Sequence, residues 1–471
     1  MPFSLVNLKA VSPEIFLIVV ASFMVLFDRA VRAKAFFFWL ALVGTVLAWW
    51  LCRESLGGAF ASSYVADHYG FFLKTVFLLS LFLSILISPV YAEREGFHFG
   101  EYYGLLYFAV CGMMFMASGT DLLVIYLGLE LMSLSIYVLV AMGFRDPRSL
   151  EGALKYFLLG SLASAFLVMG LALIYGLSGS LNLFEIQKAL SGISSRTALL
   201  SGILFFLIAL GFKVAMVPFH MWAPDAYEGA PTPITAFMSV AAKAAGFAAF
   251  GRIFLLAFAP AHELWVKFLV PFAVLTMFVG AMLAVVQTNI KRMLAYSSVA
   301  HAGYILLGLV AGTREGLSAV LLYLFIYAFM NIGAFGMVTL LQREAGIGEN
   351  IFDYQGLAKL SPLPAFFMLL FMFSLAGIPP TAGFIGKFYV FRAAVHAGYP
   401  VLAVLAVLAS TIAAYPYLRI VMLMYMKEPA GEIRTASSPY LWAALGLSAL
   451  GVLLIGIYPG SLIHTVFSSA F

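Results

Sequence analysis

Apolar runs long enough to cross a bilayer follow one another along nearly the whole of this 471-residue chain. The hydrocarbon layer is about 30 Å thick, which a helix of about 20 residues crosses. No water is available in that layer to satisfy backbone N–H and C=O groups, so such runs are expected as helices. Windows fall near residues 12–27, 35–52, 71–91, 101–118, 121–143, 149–177, 197–219 and 232–258. Further windows fall near 264–287, 290–311, 315–342, 362–395, 400–426 and 439–461, which makes about fourteen spans. The chain is 64% hydrophobic and 10% charged, against about 25% charged in soluble domains. No soluble domain fits between the windows. The fold class expected is an all-α polytopic membrane protein.

The connections are short, and the longest polar ones, Gly179–Arg196 and Arg343–Ser361, read as loops. The net charge of +5 and pI near 9.0 come from these loops rather than from one basic face, so nucleic-acid binding is not indicated. One side of the membrane collects Arg29, Arg32, Lys34, Arg94, Arg145, Arg148, Lys291, Arg292, Arg343, Lys359, Lys427 and Arg434. The other collects Lys9, Arg53, Lys188, Arg196, Arg314 and Arg392. The positive-inside bias puts the richer side in the cytoplasm and both termini outside. The cysteines, Cys52 and Cys111, lie in separate apolar runs and offer no disulfide framework, zinc spacing or iron–sulfur set. The N-terminus lacks a basic n-region and a small-residue cleavage site, so the first run reads as a retained helix.

The stretch from Leu210 to Phe247 holds Lys213 and Lys243 inside apolar runs, with Pro218, His220, Pro224, Pro231 and Pro233 between them. A lysine near the bilayer centre costs roughly 2.5–3.5 kcal/mol on insertion scales, so it persists with a partner or a wet cavity. The alternative is a kinked span whose lysine snorkels to the headgroups. The seventh span breaks at Val217-Pro218 and the twelfth at Gly377-Ile378-Pro379-Pro380, each with a lysine nearby, Lys213 and Lys387. An odd offset of five spans places the two units in opposite orientations, an inverted repeat of five helices with helices 7 and 12 broken. The division expected is residues 1–100 as a three-helix segment and 101–258 as the first repeat (helices 4–8). Residues 259–426 are the second repeat (helices 9–13), and 427–471 carry helix 14.

Six ionisable residues read as a row at mid-membrane depth: Glu130, Lys155, Lys213, Lys243, His301 and Lys387. Glu130, midway along its span, calls for a counter-charge such as Lys213, either for function or as a structural pair. Lys155 follows Glu151 by four residues, which allows an exposed helix-end pair as well. Alanines and a glycine around Lys243 let neighbours approach closely. His301 follows Ser297 and Ser298 and suits either a proton relay or a satisfied structural histidine. Lys387 stands just after the break at Pro379 and Pro380, at the end of the row. Lys74 and Arg252, near helix ends, are expected to snorkel. The remaining histidines, His68, His98, His220, His262, His396 and His464, fall in loops or at helix ends, which argues against a bound haem. No redox centre, nucleotide loop or catalytic triad is legible, so the driving energy must come from an ion gradient or a partner.

The segments LEGALKYFLLGSLASAF, PFHMWAPDAYEGAPTPITAFMSVAAKAAGFAA, QTNIKRMLAYSSVAHAGYILLGL and GIPPTAGFIGKFYVF resemble the subunit N family of proton-pumping NADH:quinone oxidoreductase, respiratory complex I. The similarity covers most of the chain. It implies fourteen helices, an antiporter-like fold with two inverted five-helix repeats, and a place in the membrane arm. By motif match, Glu130 is the family's carboxylate on the fifth helix and Lys213 its central lysine on the broken seventh. Lys155 and Lys243 match the lysines of the sixth and eighth helices, His301 the histidine of the tenth, and Lys387 the lysine of the broken twelfth. The resemblance implies no cofactor in this chain, with FMN, iron–sulfur clusters and quinone held by partner subunits. The partners implied are subunit M on one side and K with A and J on the other, in a bacterial inner membrane. Sister subunits L and M share much of the pattern; the length argues against L and a lysine at 387 against M. The alternative is a subunit of a multi-subunit sodium(cation)/proton antiporter, and a third reading makes the buried charges serve helix packing alone.

Overall fold

The computed structural model describes residues 5–31, 33–60, 62–96, 99–192, 195–341, 348–429 and 438–471. Every expected window is helical. Before the first break come α1 (Ser12–Phe27), α2 (Ala35–Glu54), α3 (His68–Glu95), α4 (Phe99–Ser118), α5 (Leu122–Val140), α6 (Pro147–Ser178) and α7 (Arg196–Lys213). After it come α8 (Trp222–Gly229), α9 (Thr232–Ala257), α10 (His262–Val285), α11 (Ile290–Val310) and α12 (Arg314–Leu341). The chain closes with α13 (Pro362–Ala376), α14 (Ala382–His396), α15 (Pro400–Met426), α16 (Pro439–Ile457) and α17 (Gly460–Ser469). Among the described residues 12 helices are long and apolar enough to cross a membrane, and α1 and α13 are shorter apolar helices. The protein is a multi-span integral membrane protein. Of the residues invoked for orientation and haem binding, Arg32, His98, Arg343 and Arg434 lie outside the described residues.

Polar residues set the helix starts. Asp67, Asp121, Asp146 and Asn289 each accept a backbone N–H at the first turn of α3, α5, α6 and α11, satisfying donors that a helix leaves unpaired. Between α2 and α3 a small antiparallel hairpin pairs β1 (Gly57–Ala59) with β2 (Tyr64–Ala66). The connection Gly179–Arg196, expected as a loop, contains the short helix Leu183–Ala189 capped by Asn182; two turns with polar flanks leave too little periodicity to read.

The helices of the two expected units pack alike. In α4 and α5, a Cβ on Gly112 would stand 2.5 Å from the Gly128 carbonyl oxygen. In α10 and α11, a Cβ on Gly280 would stand 2.5 Å from the Ala300 backbone nitrogen. Small residues thus bring the backbones of the first two spans of each unit together. α9, α11 and α12 form the buried centre, while α6 lies on the rim with half of its residues exposed.

Both breaks are real interruptions of the helix. α7 stops at Lys213 itself, earlier than the Val217-Pro218 position read from sequence, and Ala215 adopts φ +58° before the cis Val217–Pro218 bond. At the second break α13 ends at Ala376, Gly377 caps it with φ +83°, and α14 resumes at Ala382 after the cis Pro379–Pro380 bond. Within α9, Met238–Ala242 and Ile253–Ala257 are π-helical. Such bulges cluster at functional sites, and the first leads directly into Lys243.

Candidate functional site

At the first break Lys213 is the last residue of α7, and it is buried. Its Nζ donates to Ser133 Oγ at 2.8 Å and to Tyr137 OH at 3.4 Å, both on α5. The rings of Tyr137, Tyr156 and Phe212 stand 5.4–5.9 Å from the same nitrogen, a cation–π setting. Glu130 precedes Ser133 by one turn on the same helix but points to the rim. Its carboxylate accepts from Ser164 on α6 and lines a lateral groove of about 490 Å³ with Tyr126, Ser161 and Val168. Among the described residues no ion pair joins Glu130 to Lys213, so the direct counter-charge expected from sequence is replaced by hydroxyls. The rotation of α5 about its axis was not readable from sequence.

Lys243 lies on the neighbouring helix α9, also buried, and its Nζ donates to the Ser298 carbonyl at 2.8 Å and to Ser298 Oγ at 2.5 Å. One turn on, Gly246 lets α9 close on the first break: a Cβ there would stand 3.4 Å from Lys213 Cβ. Ser298 belongs to α11, as does His301. The imidazole Nδ1 shares a hydrogen with Tyr323 OH at 2.6 Å and Nε2 with Tyr417 OH at 3.2 Å. Tyr417 continues to Ser297 Oγ at 2.5 Å. The rings of Tyr304 and Tyr327 lie 5.7 and 5.2 Å from the imidazole, so four tyrosines enclose it. None was singled out from sequence, because a tyrosine in an apolar run reads as packing.

At the second break Lys387 is on α14, and its Nζ reaches back across the interruption. It donates to the carbonyls of Leu375 at 3.0 Å and Ala376 at 2.8 Å, and to Ser410 Oγ on α15 at 2.9 Å. Those carbonyls end α13 and would lack helical partners, and a cation there also suits the helix dipole. The nitrogen lies 5.1 Å from the Tyr304 ring centre. Lys387 forms one end of a lateral groove of about 860 Å³ between α14 and α15, with Arg392 and His396 also in its lining.

Lys155 stands apart from the other five. Its side chain is 44% exposed and pairs with Glu151 at 2.6 Å and with Asp225 on α8 at 2.7 Å. It belongs to a polar cluster in which Arg292 binds Asp225 at 2.7 Å and Glu228 at 2.8 Å, while Arg148 reaches Asp146 and Glu349. Its carboxylate partners set Lys155 apart from the buried row. It is in the third turn of a helix that begins at Pro147, close enough to the end for its four-carbon stem to meet the carboxylates of the polar edge.

Several buried charges escaped the sequence reading. Lys74 does not snorkel: it pairs with Glu14 at 2.7 Å, and Tyr64 of the hairpin bonds both partners at 2.6 Å. Arg252 is also buried, binding Asp67 at 2.6 Å and the Ala117 carbonyl at 2.9 Å. His220, read as a loop residue, is buried inside the first break with Nδ1 unpartnered. Glu14 could have been found as a carboxylate within the first apolar window. Its partner lies two spans away and could not. Among the described residues no group of three or more His, Cys, Asp or Glu side chains is arranged to hold a metal ion.

Residues 119–413, which span both breaks and all six residues of the expected row, match the family described as NADH:quinone oxidoreductase/Mrp antiporter, transmembrane. The chain belongs to this family. It is 49% identical over 413 residues to NADH-quinone oxidoreductase subunit N 2 of Rhizobium meliloti, covering 88% of this chain and 86% of that one. To NADH-quinone oxidoreductase subunit N of Trichlorobacter lovleyi it is 45% identical over 471 residues, covering 98% and 96%. Its fold superposes on a chain of respiratory complex I from Thermus thermophilus with a TM-score of 0.84 at 31% identity, covering 98% of this chain and all of that one. The matching chain of known structure comes from a multi-subunit membrane assembly.

Proposed function

We propose that this chain is a proton-translocating membrane-arm subunit of NADH:quinone oxidoreductase, filling the place of subunit N. The observation that carries the reading is the set of three buried lysines and a histidine held by hydroxyls and carbonyls between two helix breaks. Ionisable side chains inside a membrane domain are costly and mark ion paths when they face one another through polar groups. In this reading Glu130 opens the row at one lateral groove, and Lys213, Lys243 and His301 carry the proton through the centre. Lys387 closes the row at the other groove, with Pro218, Pro379 and Pro380 keeping the two breaks open. Lys155 and its carboxylates form the polar edge near the first break.

Residues 101–258 and 259–426 act as the two inverted units, with 1–100 and 427–471 packed around them. The grooves at Glu130 and Lys387 give two lateral faces for neighbours, subunit M on one and K with A and J on the other. The energy comes from quinone reduction, with FMN, iron–sulfur clusters and quinone in partner subunits. The membrane is the bacterial inner membrane, with both termini on the periplasmic side.

The test is purification of the intact complex with its subunits identified, followed by NADH:quinone activity and proton pumping in vesicles for wild type and Lys213→Met. Co-purification with quinone-reducing partners and loss of pumping in the variant are expected. A complex free of redox subunits that exchanges cations against protons would instead make this an antiporter subunit.

A further inference from the structure

Between His301 and Lys387 lies a buried hydroxyl that no well-formed hydrogen bond holds. Tyr304 is fully buried on α11, one turn after His301, and among the described residues its OH has no well-formed hydrogen bond, only a looser approach to Ser410. Its ring meets the imidazole edge-on at 5.7 Å on one side and lies 5.1 Å from Lys387 Nζ on the other. The hydroxyl faces Ser410, which already accepts from Lys387 at 2.9 Å. It also lies close to Tyr417 and Tyr323, the two hydroxyls bonded to His301. A buried polar atom left unpaired costs roughly 1–3 kcal/mol, and a phenol between the histidine cage and the lysine is placed to join them.

We propose that Tyr304 is the hydroxyl link that passes a proton between the His301 cage and Lys387 through Ser410, a role that rests on the relay reading above. The step balances as a hydroxyl relay. A proton arrives on the Tyr304 oxygen from a hydroxyl of the cage as a new O–H bond forms, and the original O–H bond breaks toward Ser410. Ser410 likewise accepts one proton and releases its own to the neutral amine of Lys387. Tyr304 and Ser410 end neutral, the cage has lost one proton, and Lys387 has gained it. In the resting arrangement Lys387 donates to the two carbonyls of α13 and to Ser410. The link forms when the amine is neutral and the Ser410 O–H points to it, leaving a lone pair of the same oxygen to accept from the phenol.

The experiment compares Tyr304→Phe, Ser410→Ala and Lys387→Met in the assembled complex, in vesicles, by proton pumping and its solvent deuterium isotope effect. Tyr304→Phe keeps the ring, its cation–π contact and its packing and removes one oxygen. Pumping is expected to fall roughly a hundredfold with the complex assembled, the low end of what a positioned proton-transfer group contributes, with a larger isotope effect. Ser410→Ala is expected to do the same, and it carries the test alone if Tyr304→Phe does not assemble. Tyr304→Phe or Ser410→Ala pumping as wild type beside an impaired Lys387→Met would overturn the link and leave the relay standing. Wild-type pumping in Lys387→Met would overturn the relay reading itself.

Discussion

The two breaks solve one problem in opposite ways. At the first, the lysine ends the helix before the interruption and is held by side chains, the hydroxyls of Ser133 and Tyr137. At the second, the lysine sits in the helix after the interruption and is held mainly by backbone, the carbonyls of Leu375 and Ala376. Hydroxyls rotate and both donate and accept, so they can receive a proton from an ammonium and pass it on. Carbonyls only accept, so they hold the charge and cannot relay it. Fixed dipoles at a helix end favour a cation there whatever the neighbours do. The first break is built for exchange within the row, the second for holding a charge at its end.

The packing around the breaks repeats this contrast. A Cβ on Gly383 would stand 1.7 Å from the Ser374 carbonyl oxygen, a backbone atom that cannot step aside. A Cβ on Gly211, beside the first break, would meet the Met216 terminal methyl at 2.5 Å, a flexible end that can move.

The largest expected effect comes from removing the lysines. Lys213→Met and Lys387→Met should each abolish most proton pumping in vesicles while the complex stays assembled. Lys213→Arg should not restore it, because a guanidinium hardly releases its proton. If Lys213→Arg pumps normally, the exchange role assigned to the first break is wrong.

A glycine pair tests the packing contrast next. Gly383→Ala should displace α14 from α13, detach Lys387 from its carbonyls and lower both assembly and pumping severely. Gly211→Ala should leave both near wild type. Equal effects of the two substitutions on assembled complex, measured on native gels, would remove the distinction between a rigid and an adaptable break.

A third buried lysine sharpens the comparison. Lys74, with a carboxylate at 2.7 Å, is paired in a way the row lysines are not. Lys74→Met leaves Glu14 uncompensated, at a cost of about 3–5 kcal/mol in stability. Thermal unfolding should move down strongly, while pumping per assembled complex should stay unchanged. A pumping defect in stable complex would bring the N-terminal helices into the proton path.

Smaller effects follow at the hydroxyls and the rim. Ser133→Ala removes one charge-assisted hydrogen bond to Lys213, worth about 1.5–3 kcal/mol, and should slow pumping partially because Tyr137 remains. Lys155→Gln breaks an exposed pair worth about 0–1 kcal/mol and should change stability least. A Lys155 variant as inactive as Lys213→Met would show that the polar edge is an obligatory part of the path.

The six expected residues show where reading the chain stopped. The burial of Lys213, Lys243, His301 and Lys387 followed from the positions of their charges within apolar runs. Glu130 acts on Lys213 through its charge but makes no direct ion pair with it among the described residues. Which way its helix turned depended on Gly112 and Gly128 drawing α4 and α5 together, a contact between spans. Lys155 was grouped with the buried row because an apolar window does not show which face of a helix is covered, and Asp225, its partner, lies 70 residues on. The tyrosines around His301 carried no signal at all, since burial in an apolar helix looks the same for a packed ring and for a hydrogen-bonding one.

The sequence by itself determined that the chain crosses a membrane many times, that two helices are interrupted, and that a few charges stay inside. These are consequences of lipid as a solvent: apolar length forces helices, proline and glycine end them, and a buried charge must be held. Only the tertiary structure decided what holds each charge. Ser133 and Tyr137, Ser298, the tyrosine cage, the ends of α13 and the Glu14–Lys74 pair all come from different helices. Their meeting is fixed by the rotation and packing of helices against one another, which short-range pattern does not encode.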